Sequence, residues 1–128
     1  MRIRHVVVLV RNQEEALKYY TEKLGFRISE DSTLPSGKRW LALSPSDKEP
    51  GGVLLALAGT EEQLARVGNQ TGGKVLLVLH TDSFDSEVEQ LKSKGVKLVR
   101  GPVNEPWGKV AVFSDLYGNL FDLVQPEL

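Results

Sequence analysis

No cysteine occurs in this chain, so disulfide staples, thiolate metal sites and cysteine nucleophiles are all excluded. Histidine is scarce too, with only His5 and His80 present. There is no excess charge of either sign: the net charge is −1 and the pI about 6.1. Residues 1–70 carry ten Lys/Arg against nine Asp/Glu, and residues 71–128 carry six against eight. Neither half therefore has the basic field that nucleic acid or an anionic membrane would call for, and neither partner is expected. Long apolar runs are missing as well. The longest, Val53–Ala58, falls far short of the roughly 18 residues of a membrane span. The run Val6–Val10 breaks at Arg11-Asn12-Gln13-Glu14-Glu15, too short for the apolar region of about seven or more in a secretory signal, so a cytoplasmic protein is expected. Serine nucleophile elbows, phosphate loops and interleaved basic–aromatic stretches are absent.

What is present is an ordinary globular composition, 41% hydrophobic and 26% charged, at a length of 128 residues that suits one domain with a respectable core. Residues 3–10 are β-branched and aliphatic and predict a strand buried on both faces. Asn12 reads as a helix N-cap with Glu14 and Glu15 in the first turn. Ala16, Leu17, Tyr20 and Leu24 form an apolar stripe, and Gly25 ends the helix. Strands are predicted at Phe26–Ser29, Lys38–Leu43 and Val53–Ala58, separated by turn-rich stretches. Residues 59–73 read as a connector in which Thr60-Glu61-Glu62 opens one short helix.

The order then recurs. Val75–Leu79 predicts a strand, Thr81 or Asp82 caps a helix striped with Phe84, Val88 and Leu91, and Gly95 stops it. Val96–Val99, Val110–Phe113 and Leu120–Val124 predict three more strands, with a tight turn at Tyr117-Gly118-Asn119. Leu24-Gly25-Phe26 answers Lys94-Gly95-Val96 at an offset of 70, whereas the helix stripes fit better at 71. The expected fold is α+β: module one over residues 1–58, the connector over 59–73 and module two over 74–128. Each module is βαβββ, and a ligand cleft or half-barrel lies between them. A doubly wound parallel sheet is the rival, but two good helices for about eight strands, and no Gly-x-Gly-x-x-Gly after the first strand, place it second.

The opening Ile3-Arg-His5-Val-Val-Val-Leu-Val with Ala16-Leu-Lys-Tyr-Tyr20-Thr-Glu-Lys-Leu24-Gly25-Phe26 resembles the vicinal oxygen chelate superfamily. That superfamily holds glyoxalase I, extradiol dioxygenases and the fosfomycin and bleomycin resistance proteins. The ending Ala111-Val-Phe113-Ser-Asp115-Leu-Tyr-Gly118-Asn119-Leu-Phe-Asp122-Leu-Val is similar to its last hairpin. The resemblance implies a divalent metal held by one side chain from the first and one from the last strand of each module, acting as a Lewis acid on vicinal oxygens. His5 matches the first-strand ligand of module one, and Asp122 matches the last-strand carboxylate of module two, where Glu is usual. The other two positions fall on Val75 or Leu76 and on Leu54 or Leu55, all aliphatic and unable to coordinate. Two protein ligands are too few for a tight site, so no tightly bound cofactor is expected. A weak or substrate-assisted divalent metal at His5 and Asp122 is the alternative.

Each candidate has a bland reading beside the functional one. His5 alternates with Ile3, Val7 and Leu9 and is either a pocket group, catalytic or metal-ligating, or a buried hydrogen-bonded histidine. Asp122 is either functional or a strand carboxylate paired with a nearby cation. His80 closes its strand and reads as a strand-end polar residue. Trp40, Trp107, Leu55 and Val75 are candidate pocket walls, and Arg39 is a candidate contact for an anionic substrate or a solvated strand residue. Three functions compete: a glyoxalase-type lyase or isomerase acting on a small oxygenated metabolite, a metal-free drug- or metabolite-binding protein, and an interaction domain with a vestigial cleft. A small-molecule ligand is expected as partner, and the resemblance implies a homodimer.

Overall fold

The computed structural model describes residues 1–127, which form two compact units, Met1–Gly68 and Asn69–Leu128. Unit one runs β1 (His5–Val10), α1 (Gln13–Glu22), β2 (Arg27–Thr33), β3 (Arg39–Ser44), β4 (Gly52–Leu57) and α2 (Glu61–Arg66). Unit two runs β5 (Leu77–His80), α3 (Phe84–Ser93), β6 (Leu98–Glu105), β7 (Gly108–Ser114) and β8 (Leu120–Pro126). Each unit holds one open four-stranded mixed sheet, ordered β1-β4-β3-β2 in the first and β5-β8-β7-β6 in the second. In both, the first strand pairs in parallel with the last while the other pairs are antiparallel. These are the two βαβββ modules that the doubled pattern predicts, and the doubly wound alternative is overturned. Among the described residues no helix is long and apolar enough to cross a membrane.

In unit one the helix covers one sheet face. Asn12 caps α1 by accepting a hydrogen bond from Glu15 N at 2.8 Å, and Ala16 and Tyr20 are buried against the sheet. Val8, Val10, Leu41, Leu43, Val53 and Leu55 supply the facing side, all at 0–1% exposure. Gln13 staples helix to sheet by donating from Nε2 to Leu55 O at 2.9 Å. In unit two Phe84, Val88 and Leu91 of α3 are buried with Ala111, Phe113, Phe121 and Leu123, and Phe113 meets Phe121 edge-on at 5.4 Å.

Four local expectations are corrected. β1 is buried on one face only: Val8 and Val10 are covered, whereas Val7 is 47% exposed, because one helix can seal just one side of a sheet. The N-cap of α3 is Ser83 rather than Thr81 or Asp82. Its side chain makes no cap bond, and Gln125 Oε1 of β8 instead accepts from Phe84 N at 2.9 Å. Tertiary structure thus supplies the cap that local sequence was expected to provide. β5 starts two residues later than the apolar run, so Val75 precedes the strand. β6 runs on to Glu105 through Pro102, which an edge strand tolerates with a register shift between Arg100 and Val103.

The ambiguous offset between the halves resolves into segments. α1 and α3 begin 71 residues apart, at Gln13 and Phe84. Past the helices Phe26 N donates to Tyr20 O, while Val96 N donates to Leu91 O, a return one residue shorter. The turn at Gly25 therefore holds the extra residue, and Gly25 and Gly95, both at positive φ, stand 70 apart.

Candidate functional site

Strand geometry sorts the candidates, because successive side chains point to opposite faces and directly paired residues share a face. In unit one Val7 pairs with Leu54, and Leu54 with Ala42. His5, Val7, Leu54 and Ala42 therefore share the face turned away from α1, and Trp40, two residues from Ala42, joins them. Arg39 and Leu55 lie on the other side. Leu55 is fully buried under α1, and its neighbour Leu54 is the open-face residue. The two-residue period of the strand thus places Leu55, a candidate pocket wall, under the helix and Leu54 on the open face.

Arg39 is not available to a substrate either. Its Nε and Nη2 donate to the two carboxylate oxygens of Asp31 at 2.9 and 2.8 Å, and its Nη1 pairs with Glu14 at the start of α1. The hydrogen bonds to Asp31 and then to Glu14 hold its guanidinium pKa above the ordinary arginine value, and the same bidentate contact lowers that of Asp31 below 3.8. Arg39 is engaged rather than free: it ties the β2–β3 hairpin to the helix.

His5 stands differently. Its ring meets Trp40 edge-on, with centroids 6.3 Å apart and planes at 71°. Its Nδ1 is buried and has no hydrogen-bond partner. The expectation of a buried, hydrogen-bonded histidine is not what the structure holds. Such an orphan is uncommon, since roughly nine in ten buried polar groups are paired, and those that are not tend to await a water or a ligand.

In unit two Val78 pairs with Asp122, and Asp122 with Val112, across three adjacent strands. Asp122 is half-buried on the face away from α3, beside Val78 at 53% exposure. Among the described residues it makes no side-chain ion pair or hydrogen bond, so the cation partner of the bland reading is missing. The preceding turn fixes its register. Buried Asp115 accepts from Tyr117 N, Asn119 N and Asn119 Nδ2, each at 2.9 Å, and so closes the β7–β8 hairpin. The tight turn was legible from Gly118 and Asn119; the anchoring role of Asp115 was not singled out. His80 ends β5, exposed. Trp107 sits 53% exposed in the two-residue turn joining β6 to β7, and Val75 is half-buried just before β5.

The register also fixes which residues correspond between the two repeats. Val6 and Val8 face the helix in β1 as Leu77 and Leu79 face it in β5, an offset of 71, which places Leu76 opposite His5 in the repeat. Val7 pairs with Leu54 where Val78 pairs with Asp122, so Leu54 is the counterpart of Asp122. Each unit thus offers one coordinating side chain and one leucine. Residues 2–123 match the sequence profile of the Glyoxalase/Bleomycin resistance protein/Dioxygenase superfamily. The chain belongs to that superfamily.

Among relatives, an uncharacterized protein of Shewanella frigidimarina is 42% identical over 122 residues, 94% of this chain and 90% of that protein. A protein named probable lactoylglutathione lyase from Synechocystis is 26% identical over 130 residues, covering 98% and 95%. TnmS3, an antibiotic binding protein from Streptomyces sp. CB03234, has a crystal structure similar to this one with a TM-score of 0.77, at 32% identity over 99% of this chain and 97% of that one. The metal that some members of the superfamily use does not fit the residues here. The corresponding first- and last-strand positions are His5 and Leu54 in unit one and Leu76 and Asp122 in unit two, so each unit brings one side chain able to coordinate, short of the three or four ligands of a tight divalent site. Among the described residues no group of three or more His, Asp or Glu side chains could hold a metal ion.

Proposed function

We propose that this member of the superfamily binds a small molecule, of metabolite or drug size, on the open sheet face without a resident metal. The observation that carries the reading is the pair of leucines, Leu54 and Leu76, at the repeat positions where the superfamily resemblance implies metal ligands. Aliphatic walls disfavour a hydrated dication and favour an apolar ligand. The likeness to an antibiotic binding protein supports the same direction. A second reading, lyase or isomerase chemistry on a small oxygenated metabolite, draws on His5 Nδ1 and Asp122, neither of which has a side-chain hydrogen bond among the described residues, and on the likeness to a protein named as a lyase. In that reading a substrate bringing two oxygens would complete a weak divalent site.

A thermal-shift screen of metabolites and drugs, run in chelator and again with added divalent ions, separates the two, together with elemental analysis of protein purified without chelators. The expected outcome is a metal-independent hit. A ligand at about 100 times its Kd should add about 2.7 kcal/mol of stability. A full equivalent of Zn²⁺, Ni²⁺, Mn²⁺ or Fe²⁺ surviving dialysis would overturn the metal-free reading. A homodimer belongs to the same proposal, supported by the exposed apolar residues Ile28 and Val99 on the edge strands β2 and β6. Sedimentation showing only a 14.2 kDa species at micromolar concentration would contradict it.

A further inference from the structure

We infer that the tip of the β2–β3 hairpin, residues 32–40, is a flap that carries Trp40 and is latched to α1, so that the indole stays beside His5. Its purpose, admitting a ligand to the open face of the first sheet, rests on the small-molecule reading above.

The two sheets differ where their third and fourth strands meet. In unit two β7 pairs with β8 at every residue from Gly108 to Ser114. In unit one β3 pairs with β4 only at Ala42 and Leu43, opposite Leu54 and Val53. Beyond that point the remaining rungs of β3 run to β2 alone. Trp40 faces Ser32, Arg39 faces Thr33, and Leu34 N donates to Lys38 O at 2.8 Å to close the turn. Residues 32–40 therefore leave the sheet as a two-stranded ribbon, which by itself is marginally stable in water. Fully buried Leu41 pins its base. A register shift between Ile28 and Glu30 lies abreast of the last β3–β4 rungs, and a bulge of this kind bends a strand. Residues 32–38 are all exposed, and only Arg39 and Trp40 of the tip are half-buried, so little apolar burial holds it in place.

The restraint comes instead from α1. Gln13 Nε2 spans the opening between the strands, donating to Leu55 O of β4 at 2.9 Å and to Arg39 O of β3 at 3.3 Å. Arg39 Nη1 reaches Glu14, while its Nε and Nη2 grip Asp31 of β2. Two side chains of one helical turn thus do what backbone rungs do elsewhere, and each tie is individually weak. Unit two supplies the contrast. Asp85 and Lys109 stand at the repeat positions of Glu14 and Arg39 and are themselves paired at 3.1 Å, yet there Lys109 also has its rung to Gln125. The same ion pair is a latch only where the ladder stops short. On the tip, the Trp40 ring stands 6.3 Å from that of His5, so releasing Gln13 and Glu14 carries the indole away from it.

The test reads Trp40 by acrylamide quenching of its fluorescence in a Trp107→Phe background, which leaves one indole. Gln13→Met with Glu14→Ala removes both ties to the helix and should shift the latched-to-open ratio about tenfold towards open. The expected signs are a larger quenching constant, read well below the Tm of each variant, and a weakened NOE between the Trp40 and His5 rings. Asp85→Ala cuts the matching ion pair of unit two and should change neither. In the unmodified protein, relaxation dispersion should show exchange at residues 32–40 and none at residues 105–108, a readout that does not depend on any variant folding. Trp40 no more accessible in the double variant, an equal rise in Asp85→Ala, or a tip as quiet as the β6–β7 turn would each overturn the flap. None of these measurements uses a ligand other than acrylamide, so their failure leaves the small-molecule reading to its own screen, and a failed screen leaves the flap standing.

Discussion

Replacing Asp115 by alanine should be among the most damaging single changes outside the apolar core. Asp115 is 4% exposed, and its carboxylate accepts hydrogen bonds from Tyr117 N, Asn119 N and Asn119 Nδ2. A simple sum at about 1.5–3 kcal/mol per bond to a charged group would overstate the loss, because not every donor stays dry. Tyr117 is half-buried and follows Leu116, 37% exposed, so water can reach its N–H once the carboxylate is gone. Asn119 is 4% exposed, and its two donors would remain buried without partners at about 1–3 kcal/mol each. The expected loss is therefore about 3–4 kcal/mol, or roughly 10 °C in Tm for a chain of this size. Asp115→Asn keeps one acceptor oxygen for the two backbone N–H groups and should lose only about 1 kcal/mol. Urea denaturation of the three proteins, compared at constant m-value, reads both numbers. A loss below about 1 kcal/mol for the alanine variant would refute the argument, since it would mean that water reaches Asn119 or that the turn re-forms without its anchor. The functional consequence lies in the register: a slipped β7–β8 hairpin moves Asp122 from its place opposite Val112 and Val78.

Arg39→Met should release Asp31, whose carboxyl would return upward towards 3.8 in an NMR titration. Because the folded-state pKa of Asp31 lies below its unfolded value, its contribution is present above about pH 4 and fades as pH falls through the folded value. The stability gap between wild type and variant should accordingly narrow in acid, and a gap that widens there would contradict the assignment. Gly52→Ala, on the strand residue paired with His5, drives a methyl group into Leu43 O and should destabilise by about 2 kcal/mol or more in chemical denaturation. A neutral result would show that β4 can shift away from β3 without penalty.

Much of this protein could be read without coordinates. The doubled βαβββ order follows from short aliphatic runs, two amphipathic stripes and the glycines that end them, all set by local chemistry and therefore visible in one dimension. Asn12 capping α1 and Thr60 opening α2 are of the same kind, since a cap acts on residues two or three positions ahead. Where a neighbour in space took over, sequence reasoning stopped. The cap of α3 comes from Gln125, 41 residues away, and no local pattern at Thr81 or Asp82 could announce it. Composition also could not say which side of a strand is sealed: β1 is aliphatic from Val6 to Val10, yet one helix per sheet leaves Val7 open and Val8 dry. For the site, His5, Trp40 and Asp122 were legible as candidates because residue type and position along a strand suffice to nominate them. Pairing decided the rest. Register put Leu54 rather than Leu55 on the open face and made Leu76 the counterpart of His5, and two carboxylates distant in sequence removed Arg39 from consideration. A one-residue slip turns every side chain of a strand to its other face, so an alternating sequence supplies two possible faces, and only the hydrogen-bonded neighbour selects between them.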